Sequence, residues 1–211
     1  MRSYPGLFIV FEGGEGTGKS TQIRALETHL KSQGRDCIVT WEPGGTELGE
    51  KVRKVLLDPA SGPMDARCEA LLYAATRAEH VAKVVRPALE RGAIVLCDRY
   101  WDASRAYQGF GRGLGFATID RLNEWATQSL FPDRVFLFDL DPKSGLDRVR
   151  LRTQGQLDRL EQEGLDFHQK VREAYLFAAS LDPSRYRVLD ASQAPEAVSV
   201  QIRQEIERLR P

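Results

Sequence analysis

The chain has 211 residues, of which 42% are hydrophobic, enough for one domain with a substantial core. Thirty basic residues cancel thirty acidic ones. No global basic field favours nucleic acid, so any anion must be held by local chemistry.

An apolar run over 7–11 predicts a first strand, and it enters a glycine-rich loop directly. Positions 13–20 fit the pattern G-x-x-x-x-G-K-[ST] with Gly13, Gly14, Glu15, Gly16, Thr17, Gly18, Lys19 and Ser20, and Thr21 follows. Backbone N–H groups of such a loop cradle nucleotide phosphates. Lys19 reaches the β and γ phosphates, and the Ser20 hydroxyl ligates Mg²⁺. A helix predicted over about 21–33 adds a favourable field for anions at its N-terminus. Further apolar runs predict strands at 37–41, 93–97, 134–140 and 186–189. Helical spacing predicts helices at about 47–57, 66–90, 115–130, 143–153, 166–181 and 194–209. Alternation of strand and helix implies an α/β fold with a five-stranded parallel sheet and helices on both faces.

Ligands of such sheets sit at the carboxyl ends of the strands. The second strand is followed by Glu42-Pro43-Gly44-Gly45-Thr46 and the third by Asp98-Arg99-Tyr100. An Asp closing a strand beside a phosphate loop is expected on the Mg²⁺ side, and Arg99 suits a bidentate grip on phosphate. Arg148, Arg150, Arg152 and Arg159 flank the polar stretch Gln154-Gly155-Gln156. They are expected in a mobile flap at about 148–160 that closes cations over a transferring phosphoryl group.

The rest of the chain constrains context. No run approaches the ~18 apolar residues of a membrane span. The first strand is too short for a signal peptide. Cys37, Cys68 and Cys97 are widely spaced and odd in number. They are expected as reduced, buried thiols of a cytoplasmic protein, not as a disulfide framework or metal site. His29, His80 and His168 read as surface or packing residues.

Several motifs occur in a fixed order: Phe11-Glu12-Gly13, Glu42-Pro43-Gly44-Gly45-Thr46, the segment from Leu71 through Tyr73 and Arg77 to His80, Asp98-Arg99-Tyr100, Ala106-Tyr107-Gln108-Gly109 and Leu157-Asp158-Arg159-Leu160-Glu161. Over nearly its whole length the chain resembles bacterial-type thymidylate kinases. The resemblance implies the three-layer P-loop nucleoside monophosphate kinase fold in a single domain over 1–211. It implies transfer of the γ-phosphate of ATP to dTMP, with Mg²⁺, in a cytoplasmic homodimer.

By the same resemblance, Glu15 faces the acceptor sugar, and Arg53 and Arg99 grip the acceptor phosphate. Tyr73 stacks on thymine, and Arg77, one helical turn on, contacts the base. Ser104 contacts the base edge, Tyr107 packs near the 2′ carbon, and Gln108 lies in the same pocket. Because the loop position is Gly16, the lid arginines Arg150 and Arg152 supply the catalytic cation beside Lys19 and Arg99. Ser20 and Asp98 hold the metal. The chain departs from the family's usual residues at Tyr73 (commonly Phe), Trp41 (Arg), Ala103 (Ser) and Gln154 (basic). Two other readings remain open at this point: another nucleoside monophosphate kinase, and a P-loop switch that hydrolyses nucleotide slowly.

Overall fold

The computed structural model describes residues 4–209. Five parallel strands form one sheet in the order β2-β3-β1-β4-β5: β1 Leu7–Gly13, β2 Cys37–Trp41, β3 Ile94–Asp98, β4 Arg134–Asp139 and β5 Tyr186–Asp190. β1 sits in the middle and is buried along its whole length. Its side chains alternate between the two faces, as a pleated strand requires. Phe8 and Val10 join one apolar cluster, with residues of the helices over that face. Leu7, Ile9 and Phe11 join the second, with Ile23, Leu26 and Leu30 and with Val198, Ile202 and Ile206.

The second face is covered by α1 (Lys19–Ser32) and α9 (Pro195–Arg208). The first carries α3 (Ala66–His80), α4 (Arg86–Glu90), α5 (Trp101–Ser104) and α8 (Leu165–Leu181). α2 (Glu47–Leu57), α6 (Phe116–Thr127) and α7 (Pro142–Thr153) complete the helices. Local chemistry sets their starts. The Thr46 hydroxyl caps α2 by accepting from Gly49 N at 2.9 Å, and Asp141 caps α7, with Pro142 in its first turn.

The expected five-stranded parallel sheet is present, and strand bounds differ by at most two residues from the apolar runs. Three of the helix assignments need correction. α1 starts at Lys19, not Thr21, so the phosphate-loop lysine is already helical. The single helix expected over 66–90 widens into a π-helical stretch, Val81–Val85, between α3 and α4. The segment from α5 into a second π-helical stretch, Arg105–Gly111, was not expected to be helical at all. Its wide turns and its glycines hide the 3.6-residue period. Of the cysteines, Cys37 and Cys97 are buried free thiols as expected, but Cys68 is exposed. No described helix is long and apolar enough to cross a membrane.

Register brings the functional loops together. Asp98 stands opposite Phe11 on one side and Trp41 on the other, and Gly13 stands opposite Phe138. The loops that leave β1, β2 and β3 therefore lie side by side at one edge of the sheet.

Candidate active site

At that edge lies a cleft of about 620 Å³, within the range of small-molecule sites. Glu15, Gly16, Thr17, Gly18, Lys19, Ser20 and Thr21 line one end. Arg53, Tyr73, Arg77, Arg99, Tyr107 and Gln108 line the other, and Asp98 and Arg152 border it as well.

The phosphate loop is shaped by contact with α7. Gly16 adopts φ 66, and a Cβ there would overlap the Gly145 carbonyl; one on Gly145 would overlap the Glu15 carbonyl. Only glycine at both positions allows this approach. The Lys19 ammonium is drawn back along the loop, donating to Gly13 O at 3.0 Å, Gly14 O at 2.8 Å and Thr17 Oγ1 at 3.2 Å. Burial, then the nearby Arg99 cation, pull its pKa down to about 8, against Asp98 and Glu15. The Ser20 hydroxyl donates to Asp98 Oδ2 at 3.0 Å.

Arg99 is held on both backbone and side chain. Its φ of 70 is left-handed, which is costly for a residue with a Cβ. Its N–H donates to Phe11 O at 2.9 Å. Its guanidinium donates to Gly13 O at 3.0 Å, to the Tyr175 hydroxyl at 3.2 Å and to Glu15 Oε1 at 2.6 Å. The Tyr107 hydroxyl donates to the same Glu15 oxygen at 2.6 Å. Burial favours the neutral acid at Glu15, yet Arg99 and Lys19 outweigh it and hold the carboxyl at about 2. The result is a fixed anion between two cations, one from each end of the cleft.

Arg77 is 1% exposed, and four of its five N–H donors are engaged. Nε binds Glu42 at 2.7 Å, Nη1 binds Ser104 at 3.1 Å and Asn123 at 2.6 Å, and Nη2 binds Tyr100 O at 3.1 Å. One Nη2 N–H has no protein acceptor among the described residues, and Arg77 lines the cleft. Ser104 does not line the cleft; it sits behind Arg77 as its acceptor. Arg53 donates to Pro43 O at 2.7 Å, which places its guanidinium beside the turn after β2. Of the two arginines expected in a lid, Arg152 borders the cleft, whereas Arg150 pairs with Asp147 at 3.3 Å on the outer side of α7. Arg148 reaches back to Gly16 O at 3.4 Å.

The family model of thymidylate kinase matches residues 11–202. The chain belongs to the thymidylate kinase family. Its relatives named thymidylate kinase include that of Clavibacter sepedonicus, 50% identical over 199 residues, covering 94% of this chain and 93% of the relative. That of Bifidobacterium longum strain NCC 2705 is 48% identical over 207 residues, covering 97% and 98%. A crystal structure of thymidylate kinase from Ehrlichia chaffeensis superposes with a TM-score of 0.78 at 30% identity, covering 95% of this chain and 98% of that one. Membership disfavours both the other monophosphate kinases and the switch reading.

Some departures from the family's usual residues acquire a local account. Trp41 donates from Nε1 to Glu50 Oε1 at 2.8 Å. Ala103 contributes its backbone N–H to Glu12 at 3.2 Å, a bond that needs no particular side chain. Gln154 adopts φ 54 in the left-handed turn that ends α7.

Sequence reading passed over four acidic residues that organise the site. Glu12, fully buried, accepts from Tyr100 N at 2.8 Å and from the Tyr175 hydroxyl at 2.8 Å. Glu42 orients Arg77, and Asp158 lines the cleft. Glu69, fully buried, gathers Gln108, Arg112 and Arg159. Two signals were present in the sequence. Glu12 falls on the buried face shared by Phe8 and Val10, and Glu69 lies one turn before Tyr73 on the stripe that includes Arg77.

Proposed function

We propose that the chain transfers the γ-phosphate of ATP to dTMP, giving ADP and dTDP, with both nucleotides in this one cleft. The observation that carries the reading is the continuity of the cleft: the phosphate loop and the arginines and aromatics of the far end line a single space. The phosphate loop with the N-terminus of α1 receives the donor phosphates. Arg53 and Arg99 take the dTMP phosphate, Tyr73 stacks on thymine, Arg77 and Gln108 serve the base with Ser104 behind Arg77 as its acceptor, and Tyr107 and Glu15 border the sugar.

The acceptor oxygen is already ionised at neutral pH, so no general base is needed. The bond from the γ-phosphorus to the bridging oxygen of ATP breaks as a new one forms to the dTMP phosphate oxygen. The physical problem is mutual repulsion of two polyanions. Lys19, Arg53, Arg99 and Arg152 offset it and stabilise the charge spread over the transferring group. Arg150 joins them only if the segment at about 148–160 moves as a lid.

Ser20 Oγ and Asp98 Oδ2 stand 3.0 Å apart, an all-oxygen pair suited to a hard cation. No cluster of three or more metal-binding side chains occurs among the described residues. That suits Mg²⁺, which keeps waters and substrate phosphates in its shell. When bound, the ion would neutralise charge on the β and γ phosphates.

The enzyme is read as a cytoplasmic homodimer on its resemblance to the family. ADP release measured over a panel of monophosphates with ATP and Mg²⁺ tests the reading. Release should depend on acceptor and be fastest with dTMP, ahead of dUMP and the ribonucleotides. AMP or GMP as best acceptor, or release indifferent to acceptor, would overturn it.

A further inference from the structure

Glu69 neither lines the cleft nor faces solvent. Its Oε1 accepts from Gln108 Nε2 at 2.8 Å and from Arg112 Nε at 3.3 Å. Its Oε2 accepts from Arg159 Nη1 at 2.7 Å and Arg112 Nη2 at 3.3 Å. Burial favours the neutral acid, but Gln108, Arg112 and Arg159 prevail and hold the carboxyl below its ordinary range. An ionised carboxylate only accepts hydrogen bonds.

That fixes the sense of one amide. Gln108 must turn its NH₂ towards Glu69. Its Oε1, on the opposite side of the amide carbon, meets no protein donor among the described residues and is left to the cleft that Gln108 lines. Arg77 supplies the complementary group, its remaining Nη2 N–H. The base wall therefore presents one donor and one acceptor. Thymine carries a keto oxygen beside a ring N–H, which matches this pair. Cytosine carries an amino group beside a bare ring nitrogen, which reverses both.

We propose that Glu69 is a positioning residue for base selection: by pinning the Gln108 amide it turns a carbonyl to the base, so that the pocket accepts the keto–imino edge of thymine and rejects the amino edge of cytosine. The inference rests on the reading of this cleft as the dTMP site. Arg159, at the base of the proposed lid, and Arg112 keep the carboxylate charged and in place.

The test is the ratio of kcat/KM for dTMP to that for dCMP. In Glu69→Gln the new carboxamide turns its oxygen to the two arginines and its NH₂ to Gln108, which then flips. The ratio should fall at least tenfold, mainly through KM for dTMP, with KM for ATP within twofold of wild type. The double variant Glu69→Gln with Arg112→Met removes one charge of each sign, guards against misfolding and should behave alike. An unchanged ratio in either folded variant overturns the proposal. Gln108→Met separates the failures. If it leaves the ratio intact, the placement of the base against Gln108 is wrong. If it collapses the ratio while the Glu69 variants do not, the role of Glu69 alone is wrong. The wild-type enzyme gives an arm free of folding effects: dTMP methylated at ring N3 should be at least tenfold poorer than dTMP, and equal use would overturn the carbonyl orientation.

Discussion

Replacing Arg99 with methionine removes the guanidinium and keeps much of the apolar stem. If Arg99 grips the acceptor phosphate bidentately, two charge-assisted bonds of about 1.5–3 kcal/mol each are lost. That is a fall of about 10²–10⁴ in kcat/KM for dTMP. ATP binding should change by less than threefold, because Lys19 and the loop backbone remain. Stability should also drop. Glu15 is held at about 2 rather than 4.5, a displacement equivalent to about 3 kcal/mol, shared between Arg99, Lys19 and Tyr107. Loss of Arg99 removes the leading favourable partner while the opposing burial remains, so most of this net stabilisation of about 3 kcal/mol should be lost. The assay is coupled ADP release with dTMP and ATP varied separately, beside a fluorescent-ATP titration and a thermal melt. A folded variant with kcat/KM for dTMP within threefold of wild type would refute the reasoning.

Other outcomes follow from the same geometry. Arg152→Met should lower kcat by about 10³ or more if it supplies the charge of a catalytic arginine. Arg150→Met, which removes only an exposed pair with Asp147, should cost less than threefold; the reverse order in rapid-quench kinetics would exchange their roles. Gly145→Ala forces a methyl against the Glu15 carbonyl. Such overpacking costs about 1–3 kcal/mol and should weaken ATP binding about tenfold in a titration; unchanged affinity would show that the loop yields freely. Glu15→Gln should be less stable than wild type by up to about 3 kcal/mol at pH 6. Because the folded carboxyl lies below its unfolded value, this stabilisation is present above pH 4.5 and is lost as pH falls towards 2. Denaturant melts across that range should converge; a gap independent of pH would contradict the electrostatic account.

How much of this was visible in the sequence depended on the kind of signal. The phosphate loop, the five apolar runs and Asp98-Arg99 are local patterns, and local patterns carry their own geometry. The helix over Trp101–Gly111 was not legible because π-helical turns break the expected period. The role of Glu69 depends on Arg112 and Arg159, 43 and 90 residues away in sequence, and no spacing rule joins them. Ser104 shows the limit of position matching: the residue occupies the expected place, yet Arg77 stands between it and the cleft. In the sequence, Gly16 leaves the phosphate loop without a cation at that position. Its close approach to Gly145 adds the steric reason that no side chain fits there.

The central claim is that two nucleotides share one continuous cleft, with Arg99 and Lys19 meeting across Glu15. A ligand joining adenosine and thymidine through five phosphates tests it most directly. Calorimetry and inhibition kinetics should show binding at least 100-fold tighter than dTMP alone, with competition against both ATP and dTMP. Competition against only one of the two, with no gain in affinity, would contradict the shared site.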